Sequence, residues 1–236
     1  MPLYDFLAPV YDLAFERIYR PFRLRALEQF PLNEGASILD LACGTGQNFP
    51  QLAERIGEEG HIVGVDISSG MLRRAQSRVP RMQAACGNQP KISLLQMDAI
   101  DLTTSALEAR TGLSSVDFII CTYSFTSMRN WEAAFRASWA LLKPGGGYLI
   151  HDIAAEKRTP HVLAVEMATR SHFFEKVWLP LQSACVDFRM DYLDPSAHLF
   201  GGRLFVAQGT KPLSTKHSSH AYLDQQRRQA ARALQP

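Results

Sequence analysis

Asp40, Gly44 and Gly46 stand close together in the stretch ILDLACGTGQNF, where an apolar run gives way to polar residues. Two near-adjacent glycines after a buried strand let another molecule approach the backbone closely. Asp66 follows Gly46 by twenty residues and ends the next apolar run. A carboxylate in that position can accept hydrogen bonds from both hydroxyl groups of a ribose. The pattern therefore predicts a site for an adenosine-containing cofactor.

The third glycine of a dinucleotide-binding loop is absent from this stretch. A GxGxxG loop would need glycine at position 49, but the sequence has Phe49, followed by Pro50. The third glycine permits close packing between helix and strand beside a pyrophosphate. The aromatic residue therefore disfavours a nicotinamide dinucleotide and favours another adenosine cofactor.

Short apolar runs alternate with helix-like segments, which include FPQLAERIGEE, SSGMLRRAQSRV and NWEAAFRASWALL. Alternating strands and helices form right-handed crossovers and a parallel sheet covered on both faces. An amphipathic stretch at about 160–183 precedes two final runs, which we expect to pair as an antiparallel hairpin. We therefore predict an α/β, doubly wound, Rossmann-like sheet of seven strands, mostly parallel. The predicted strands are 36–42, 61–67, 91–99, 115–122, 146–153, 185–193 and 203–210.

The two ends of the chain differ from this alternating core at 36–210. Residues 1–35 predict a helical lid that is broken at Pro9 and Pro21. Residues 211–236 carry five basic residues against one acid, which predicts a basic, mobile tail. The tail lacks aromatic residues interleaved with its charges, so we expect no binding of nucleic acid.

Composition excludes several classes of protein. The chain has 236 residues, 46% of them hydrophobic, and a formal net charge of +2, so it can bury one substantial core. Its four cysteines are scattered without a CxxC pair, which predicts a reducing, cytoplasmic location with neither a disulfide framework nor a metal site. No apolar run approaches the roughly 18 residues of a membrane span, and the N-terminus does not resemble a signal peptide.

Four motifs in order make residues 36–210 similar to the class I S-adenosylmethionine-dependent methyltransferases. The first motif, ILDLACGTG, has its acid and both glycines in place, with Ala42 where many members have glycine. Asp40 in this motif either ties the glycine loop together or contacts the cofactor. The second motif, VGVDISSGML, resembles the segment that carries the ribose acid, here Asp66, with Met71 packing near the adenine.

The third and fourth motifs are LLQMDAIDL and LLKPGGGYLIHD. By resemblance, Asp98 accepts a hydrogen bond from the adenine amino group and Met97 and Ala99 flank the ring, although Asp98 would also suit a surface turn. The resemblance implies S-adenosylmethionine as the cofactor, held by a set of residues along all of these segments: Asp40, Ala42, Cys43, Gly44, Gly46, Asp66, Ile67, Met71, Met97, Asp98, Ala99 and Thr122.

A narrower resemblance concerns the acceptor of the methyl group. DLACGTG, the early YDFLAPVYD and the LLKPGG turn are similar to the ubiquinone and menaquinone C-methyltransferases and to lipid-headgroup methyltransferases. This similarity implies a small, hydrophobic or lipid-like acceptor: a quinone precursor, a phospholipid amine or a phenolic metabolite. The alternatives are a nicotinamide-dependent oxidoreductase and a cofactor-binding protein without catalysis.

Acid–base chemistry is needed only if the acceptor arrives protonated, since alignment supplies most of the acceleration in methyl transfer. The fourth strand ends in CTYSF, not in the Asn/Asp-Pro-Pro-aromatic element that cradles a planar amino group, which disfavours adenine in DNA. Thr122 and Tyr123 therefore line the predicted pocket. We expect His151 and Asp152 to face the same crevice, with His151 or Tyr123 as the catalytic group, unless His151 is structural.

The N-terminal segment has two interpretations. Tyr4 and Tyr11 suit either a lid over the site or core anchors of a docked helix. Residues 15–30 alternate aromatic and aliphatic groups with Arg17, Arg20, Arg23 and Arg25. That composition suits either peripheral contact with an anionic membrane or a lid helix whose arginines face water.

Overall fold

The computed structural model describes residues 18–86, 89–193 and 202–213. Within these ranges seven strands form one sheet in the order β3-β2-β1-β4-β5-β7-β6. The predicted α/β doubly wound fold is confirmed. The strands are β1 (Ser37–Leu41), β2 (His61–Asp66), β3 (Lys91–Gln96), β4 (Val116–Thr122), β5 (Leu142–Ala154), β6 (Val186–Tyr192) and β7 (Arg203–Thr210).

Helices connect these strands and cover both faces of the sheet. Helix α1 covers residues 18–28. The others are α2 (Phe49–Ile56), α3 (Ser69–Cys86), α4 (Thr104–Thr111), α5 (Trp131–Leu141), α6 (Pro160–Thr169) and α7 (Leu179–Ala184), with short 3₁₀ turns at Ala99–Asp101 and Phe125–Ser127.

The sheet has its switch point between β1 and β4. β1 pairs in parallel with β2 on one side and with β4 on the other. The chain therefore builds the sheet outward in opposite directions from this pair, and a crevice opens at the carboxyl ends of the two strands. β7 is antiparallel to both β5 and β6, as the hairpin prediction requires.

The predicted start of β5 is wrong. β5 begins at Leu142 rather than 146, because its pairing with β4 shifts register between Val116 and Phe118 and the Pro-Gly segment forms an irregularity inside the strand. The amphipathic stretch predicted at about 160–183 contains two helices, α6 and α7. Arg170 adopts a left-handed conformation with φ of 57° and ends α6 there.

Helix α1 packs on the core through Tyr19 and Leu27, and Phe30, just after the helix, is also buried. At the C-terminal end of α1, the guanidinium of Arg55 donates to the carbonyl oxygens of Leu27 and Phe30. Pro21 lies within the helix and does not break it.

Other predictions for the chain ends fall outside the described residues. Pro9, Tyr4, Tyr11 and Arg17 precede the described chain, and the basic tail after residue 213 follows it. The lid function of residues 1–35 and the mobility of the tail therefore stay predictions. Among the described helices, none combines the length and the apolar character needed to cross a membrane.

Candidate active site

In the loop after β1, every second residue from Ala42 to Gly46 has a left-handed backbone conformation. Ala42, Gly44 and Gly46 have φ of 54°, 55° and 74°. A Cβ added to Gly44 would meet no atom within 4 Å, whereas one added to Gly46 would lie 2.6 Å from the ring of Phe49. Gly44 therefore leaves open space for a ligand, while Gly46 makes room for the ring that follows it.

Phe49 fills the gap that a third glycine would leave empty. Its ring is fully buried at the start of α2. A Cβ added to Gly64 of β2 would lie 2.8 Å from the ring edge. The helix thus packs on the sheet through an aromatic group instead of through close backbone contact. This packing explains how the loop can lack the dinucleotide pattern and still hold its shape.

Asp66 ties the end of β2 to the glycine loop. Its Oδ2 accepts from the Gly44 N–H at 2.9 Å, and its Oδ1 accepts from the Ser68 N–H at 2.8 Å. The side chain is 9% exposed and lines the cavity described below. A carboxylate can accept about four hydrogen bonds. These contacts are therefore compatible with the predicted contacts to ribose hydroxyls.

Asp98 caps the 3₁₀ turn after β3, because its Oδ1 accepts from the Ile100 N–H at 3.2 Å. Asp98 also lines the cavity, together with Met97 and Ala99. Asp98 therefore does stabilise a turn, and its carboxylate also lies on the cavity wall, where contact with adenine is predicted.

Asp40 lies behind the cavity wall. It is 1% exposed, and its Oδ1 accepts from the Asn48 Nδ2 at 2.9 Å. Its Oδ2 has no hydrogen-bond partner among the described residues. Burial raises the pKa of Asp40 to about 7, partly opposed by the Asn48 hydrogen bond and by the positive charge of Arg23. Asp40 therefore contacts the cavity wall through its hydrogen bond from Asn48, which does line the cavity.

Cys43 lines the cavity but is not an activated nucleophile. Burial, and then the charges of Asp40 and Asp66, raise the pKa of the Cys43 thiol well above its ordinary value. A reactive cysteine requires the thiolate. The sequence-based interpretation of Cys43 as a small apolar group agrees with this environment.

Arg23 of α1 reaches the glycine loop. Its Nη1 donates to the Gln47 carbonyl oxygen at 2.6 Å and to the Asn48 Oδ1 at 3.3 Å. The side chain is 2% exposed and lines the cavity. Grouping Arg23 with solvent- or membrane-facing arginines was therefore wrong. Its spacing of four residues from both Tyr19 and Leu27 places it on the buried face of the helix, and this is the signal that could have identified it.

His151 is fully buried and does not line the cavity. Its Nδ1 lies 2.7 Å from the Phe205 carbonyl oxygen, and its Nε2 lies 2.6 Å from the Tyr123 hydroxyl. A carbonyl can only accept, so Nδ1 carries the proton and Nε2 accepts from Tyr123. Burial lowers the pKa of His151 to about 4, and the hydrogen bond to Phe205 partly opposes this change.

The expectation that His151 and Asp152 face the crevice was therefore wrong. Asp152 is also buried and accepts from the backbone N–H and the hydroxyl of Thr126 at 3.1 and 2.8 Å. Desolvation by burial raises the pKa of Asp152 to about 6. Tyr123, in contrast, lines the cavity with φ of 57°.

These elements enclose a cavity of about 520 Å³ at the carboxyl ends of β1, β2 and β4. Of the residues predicted to bind the cofactor, only Asp40 and Gly46 are not on its wall. The segment after β4 adds residues that the sequence interpretation missed, because irregular backbone gave no periodic signal there. The predicted residues on the wall are Ala42, Cys43, Gly44, Asp66, Ile67, Met71, Met97, Asp98, Ala99 and Thr122, and the missed ones include Arg23, Asn48, Ser127, Met128 and Arg129.

A family model described as a methyltransferase domain matches residues 32–196. The chain belongs to this family. A relative named 2-phytyl-1,4-naphtoquinone methyltransferase, from Thermosynechococcus vestitus, is 27% identical over 84% of this chain and 82% of its own length. A demethylmenaquinone methyltransferase from Listeria welshimeri is 24% identical over 61% of this chain, and the match spans 58% of that relative.

Solved structures share the fold. A phosphoethanolamine N-methyltransferase 2 from Haemonchus contortus, in complex with phosphomonomethylethanolamine and S-adenosylhomocysteine, superposes with a TM-score of 0.65 at 16% identity. The match covers 85% of this chain and 56% of that one. Together these comparisons identify the chain as a methyltransferase that depends on S-adenosylmethionine.

The described wall fits S-adenosylmethionine. Gly44 leaves open space at the loop, and Asp66 and Asp98 place two acceptor groups at the ends of β2 and β3. Apolar side chains lie near these acids, including Met71 and Met97, as a planar adenine requires. The chain provides no third glycine for a pyrophosphate, so the wall agrees with an adenosine cofactor that carries no phosphate.

Proposed function

We propose that this methyltransferase acts on a small, hydrophobic or lipid-like acceptor: a quinone precursor, a phospholipid amine or a phenolic metabolite. The main support is the Tyr123–His151 pair on a cavity whose wall also carries Met97, Ile100 and Met128. Apolar side chains with a few directed polar groups are typical of sites for hydrophobic small molecules. The names of the quinone methyltransferase relatives support the same acceptor class.

Tyr123 is the group that we expect the acceptor to meet. When bound, S-adenosylmethionine supplies a methyl group on a positively charged sulfur. The one proton of the Tyr123 hydroxyl has two acceptors beside it, the His151 Nε2 at 2.6 Å and the Tyr19 carbonyl oxygen at 3.2 Å. With the proton in the shorter contact, the Tyr123 oxygen can accept a hydrogen bond from a hydroxyl-bearing acceptor. The phenol thereby orients the acceptor.

His151 acts in this proposal through Tyr123. A pKa of about 4 keeps the imidazole neutral near neutral pH, so its Nε2 is always available as an acceptor. The Phe205 carbonyl fixes which ring nitrogen carries the proton. Such a buried imidazole is a weak base, so it suits orientation of the phenol better than storage of a proton. The pair therefore favours an acceptor that is neutral or already acidic, such as a phenol or a quinol.

The test is a methyl-transfer screen with labelled cofactor against quinol precursors, phospholipid amines and phenolic metabolites. On the best acceptor, Tyr123→Phe should lower kcat by about 100-fold, because the acceptor loses the hydrogen bond that aligns it. Its affinity for S-adenosylhomocysteine should stay unchanged. Tyr148→Phe is the control, because the hydroxyl of the buried Tyr148 bonds to Ser138 and its side chain does not line the cavity, whereas Tyr123 is half-buried on the cavity wall.

Full activity of Tyr123→Phe would contradict the role of the phenol, although methyl transfer would remain. Tight cofactor binding without transfer to any acceptor class would instead indicate a protein that binds the cofactor and has lost catalysis.

Contact with an anionic membrane through residues 15–30 receives less support from the packing. The apolar side of α1 faces the core, Arg23 turns inward, and Arg20 and Arg25 are the exposed arginines of the described helix. An interfacial helix needs its apolar face for the bilayer. An acceptor that diffuses to the cavity is therefore the better-supported source of substrate.

A further inference from the structure

Two neighbouring residues near the end of β5 contact the segment that follows β4. Side chains of successive strand residues point to opposite faces of a sheet, and His151 and Asp152 are successive residues of β5. The His151 Nε2 lies 2.6 Å from the Tyr123 hydroxyl. Asp152 accepts hydrogen bonds from Thr126, three residues further along the chain. The end of β5 therefore holds the segment after β4 at two points, one through each side chain.

The contacts between Asp152 and Thr126 involve both the backbone and the side chain of Thr126. The Asp152 Oδ2 accepts from the Thr126 N–H at 3.1 Å, and its Oδ1 accepts from the Thr126 hydroxyl at 2.8 Å. The Thr126 carbonyl oxygen accepts from the His172 N–H at 2.6 Å. The N–H, the carbonyl and the hydroxyl of Thr126 are thus all bonded to residues that are distant in sequence, which fixes this residue firmly.

The carboxylate of Asp152 is held by hydrogen bonds and not by an opposite charge. Its side chain is 1% exposed, and in the described part of the chain no basic residue forms a salt bridge with it. Burial raises the pKa of Asp152 to about 6, opposed by the hydrogen bonds from Thr126 and Ile153, so the group is mostly ionised near neutral pH. Burying an ionised carboxylate is costly unless hydrogen bonds satisfy it. Thr126 supplies two of these bonds and the Ile153 N–H a third.

Residues on both sides of Thr126 line the cavity. Tyr123 and Ser124 precede it on the wall, and Ser127 and Met128 follow it. Thr126 itself is 2% exposed and does not line the cavity. The acids predicted to hold adenosine follow β2 and β3, which lie on the other side of β1 from β4. The wall segment that Thr126 anchors therefore lies on the side of the cavity where we place the acceptor.

We propose that Asp152 is a positioning residue for methyl transfer, which fixes residues 123–128 in the conformation that receives the acceptor. The proposal rests on the proposed placement of the acceptor beside this segment. Asp152 does not line the cavity, so it acts through Thr126. Without its contacts the segment can shift, and a displacement of about 1 Å can lower the rate by about 100-fold. The glycine loop has a separate support in its hydrogen bond to Asp66, so cofactor binding should persist.

The test compares steady-state kinetics on any acceptor that the methyl-transfer screen identifies. Asp152→Asn should lower kcat/KM for the acceptor by about tenfold or more. The reason is that the asparagine amide nitrogen cannot accept the hydrogen bond that a carboxylate oxygen accepted. The Kd for S-adenosylhomocysteine, measured by calorimetry, should stay within about twofold of the wild-type value. Thr126→Val should lower kcat/KM by about threefold, because only the hydroxyl is lost, whereas Thr126→Ser keeps the hydroxyl and should retain the wild-type value.

Asp117→Asn is the control. Asp117 also accepts from both the backbone N–H and the hydroxyl of one residue, Ser37. It is half-buried near the start of β4, at the end of the sheet opposite the cavity, so its variant should leave kcat/KM unchanged. Hydrogen exchange followed by mass spectrometry gives a readout that needs no acceptor. Amides of residues 123–128 should exchange faster in Asp152→Asn than in the wild type, and those of the glycine loop should not.

Three results would overturn the proposal: equal losses of cofactor affinity and of kcat/KM in Asp152→Asn, unchanged kinetics in that variant, or exchange of residues 123–128 at the wild-type rate. If Asp152→Asn does not fold, as judged by circular dichroism, the two Thr126 variants decide, and equal kcat/KM values for them would overturn the proposal. Full activity of Tyr123→Phe beside an impaired Asp152→Asn would contradict the role of the phenol alone.

Discussion

Asp40→Asn should make the stability of the protein less sensitive to pH. The pKa of Asp40 is about 7 in the fold, against an ordinary value of 3.8, mainly because the carboxyl is buried. The folded chain therefore binds a proton more tightly than the unfolded chain between these two values. By linkage, the free energy of unfolding falls as the pH rises through this window, because the buried group must ionise.

The expected size follows from the shift in pKa. One pKa unit corresponds to about 1.4 kcal/mol, so a shift of about three units costs the wild type about 4 kcal/mol once the pH exceeds the folded-state value. From about pH 5 to about pH 8 the wild type should lose about 2–3 kcal/mol through this group. Asparagine keeps an oxygen for the Asn48 amide but does not ionise, so Asp40→Asn should avoid this loss.

Urea unfolding of both proteins at several pH values measures the difference directly. Asp117→Asn is a control of opposite sign. The pKa of Asp117 is lowered, because its hydrogen bonds to Lys143 and Ser37 outweigh the opposing effect of burial. Its stabilising effect is present at neutral pH and is lost as the pH falls. A stability difference between wild type and Asp40→Asn that stays constant over the whole range would refute the argument.

Two further predictions concern the loop and the ribose acid. Ala42→Gly should raise the free energy of unfolding, measured in urea, by about 1 kcal/mol. The reason is that Ala42 has a left-handed φ of 54°, which is strained for a residue with a Cβ. A lower stability of the variant would show instead that the Ala42 methyl group contributes favourable packing. Asp66→Ala should weaken binding of S-adenosylmethionine by at least about tenfold, ~1.4 kcal/mol, in calorimetry, and equal affinity would remove Asp66 from the ribose contacts.

The sheet could be predicted because its signals are local and repeated. Most strands are short apolar runs with turn residues or acids close to their ends, and the alternation of strands and helices predicts a parallel sheet. The register shift at the start of β5 could not be predicted, because it depends on pairing with β4 across the sheet. Helix α4 was missed for a different reason, since TSALEART has little apolar periodicity.

The residues of the cofactor wall were predicted better than the residues with proposed catalytic roles. Residues at strand ends belong to motifs that occur in order, so Asp66 and Asp98 could be placed on one edge of the sheet. The positions of Arg23 and His151 depend on tertiary packing. A basic residue in an amphipathic helix usually faces water, and only the buried neighbours of Arg23 reveal the inward orientation. From its position near the end of β5, the sequence places His151 beside the crevice. In the structure Tyr123 lines the cavity and His151 lies behind it.

Helix α1 joins the two halves of the site. Arg23 contacts the loop after β1, and the carbonyl oxygen of Tyr19, one turn earlier, lies 3.2 Å from the Tyr123 hydroxyl. The Tyr19 and Tyr123 rings are also packed, with centroids 4.9 Å apart. A displacement of α1 would therefore disturb the glycine loop and the proposed acceptor tyrosine together. Helix α1, which precedes the residues that the family model matches, therefore contacts both the glycine loop and the proposed acceptor side of the cavity.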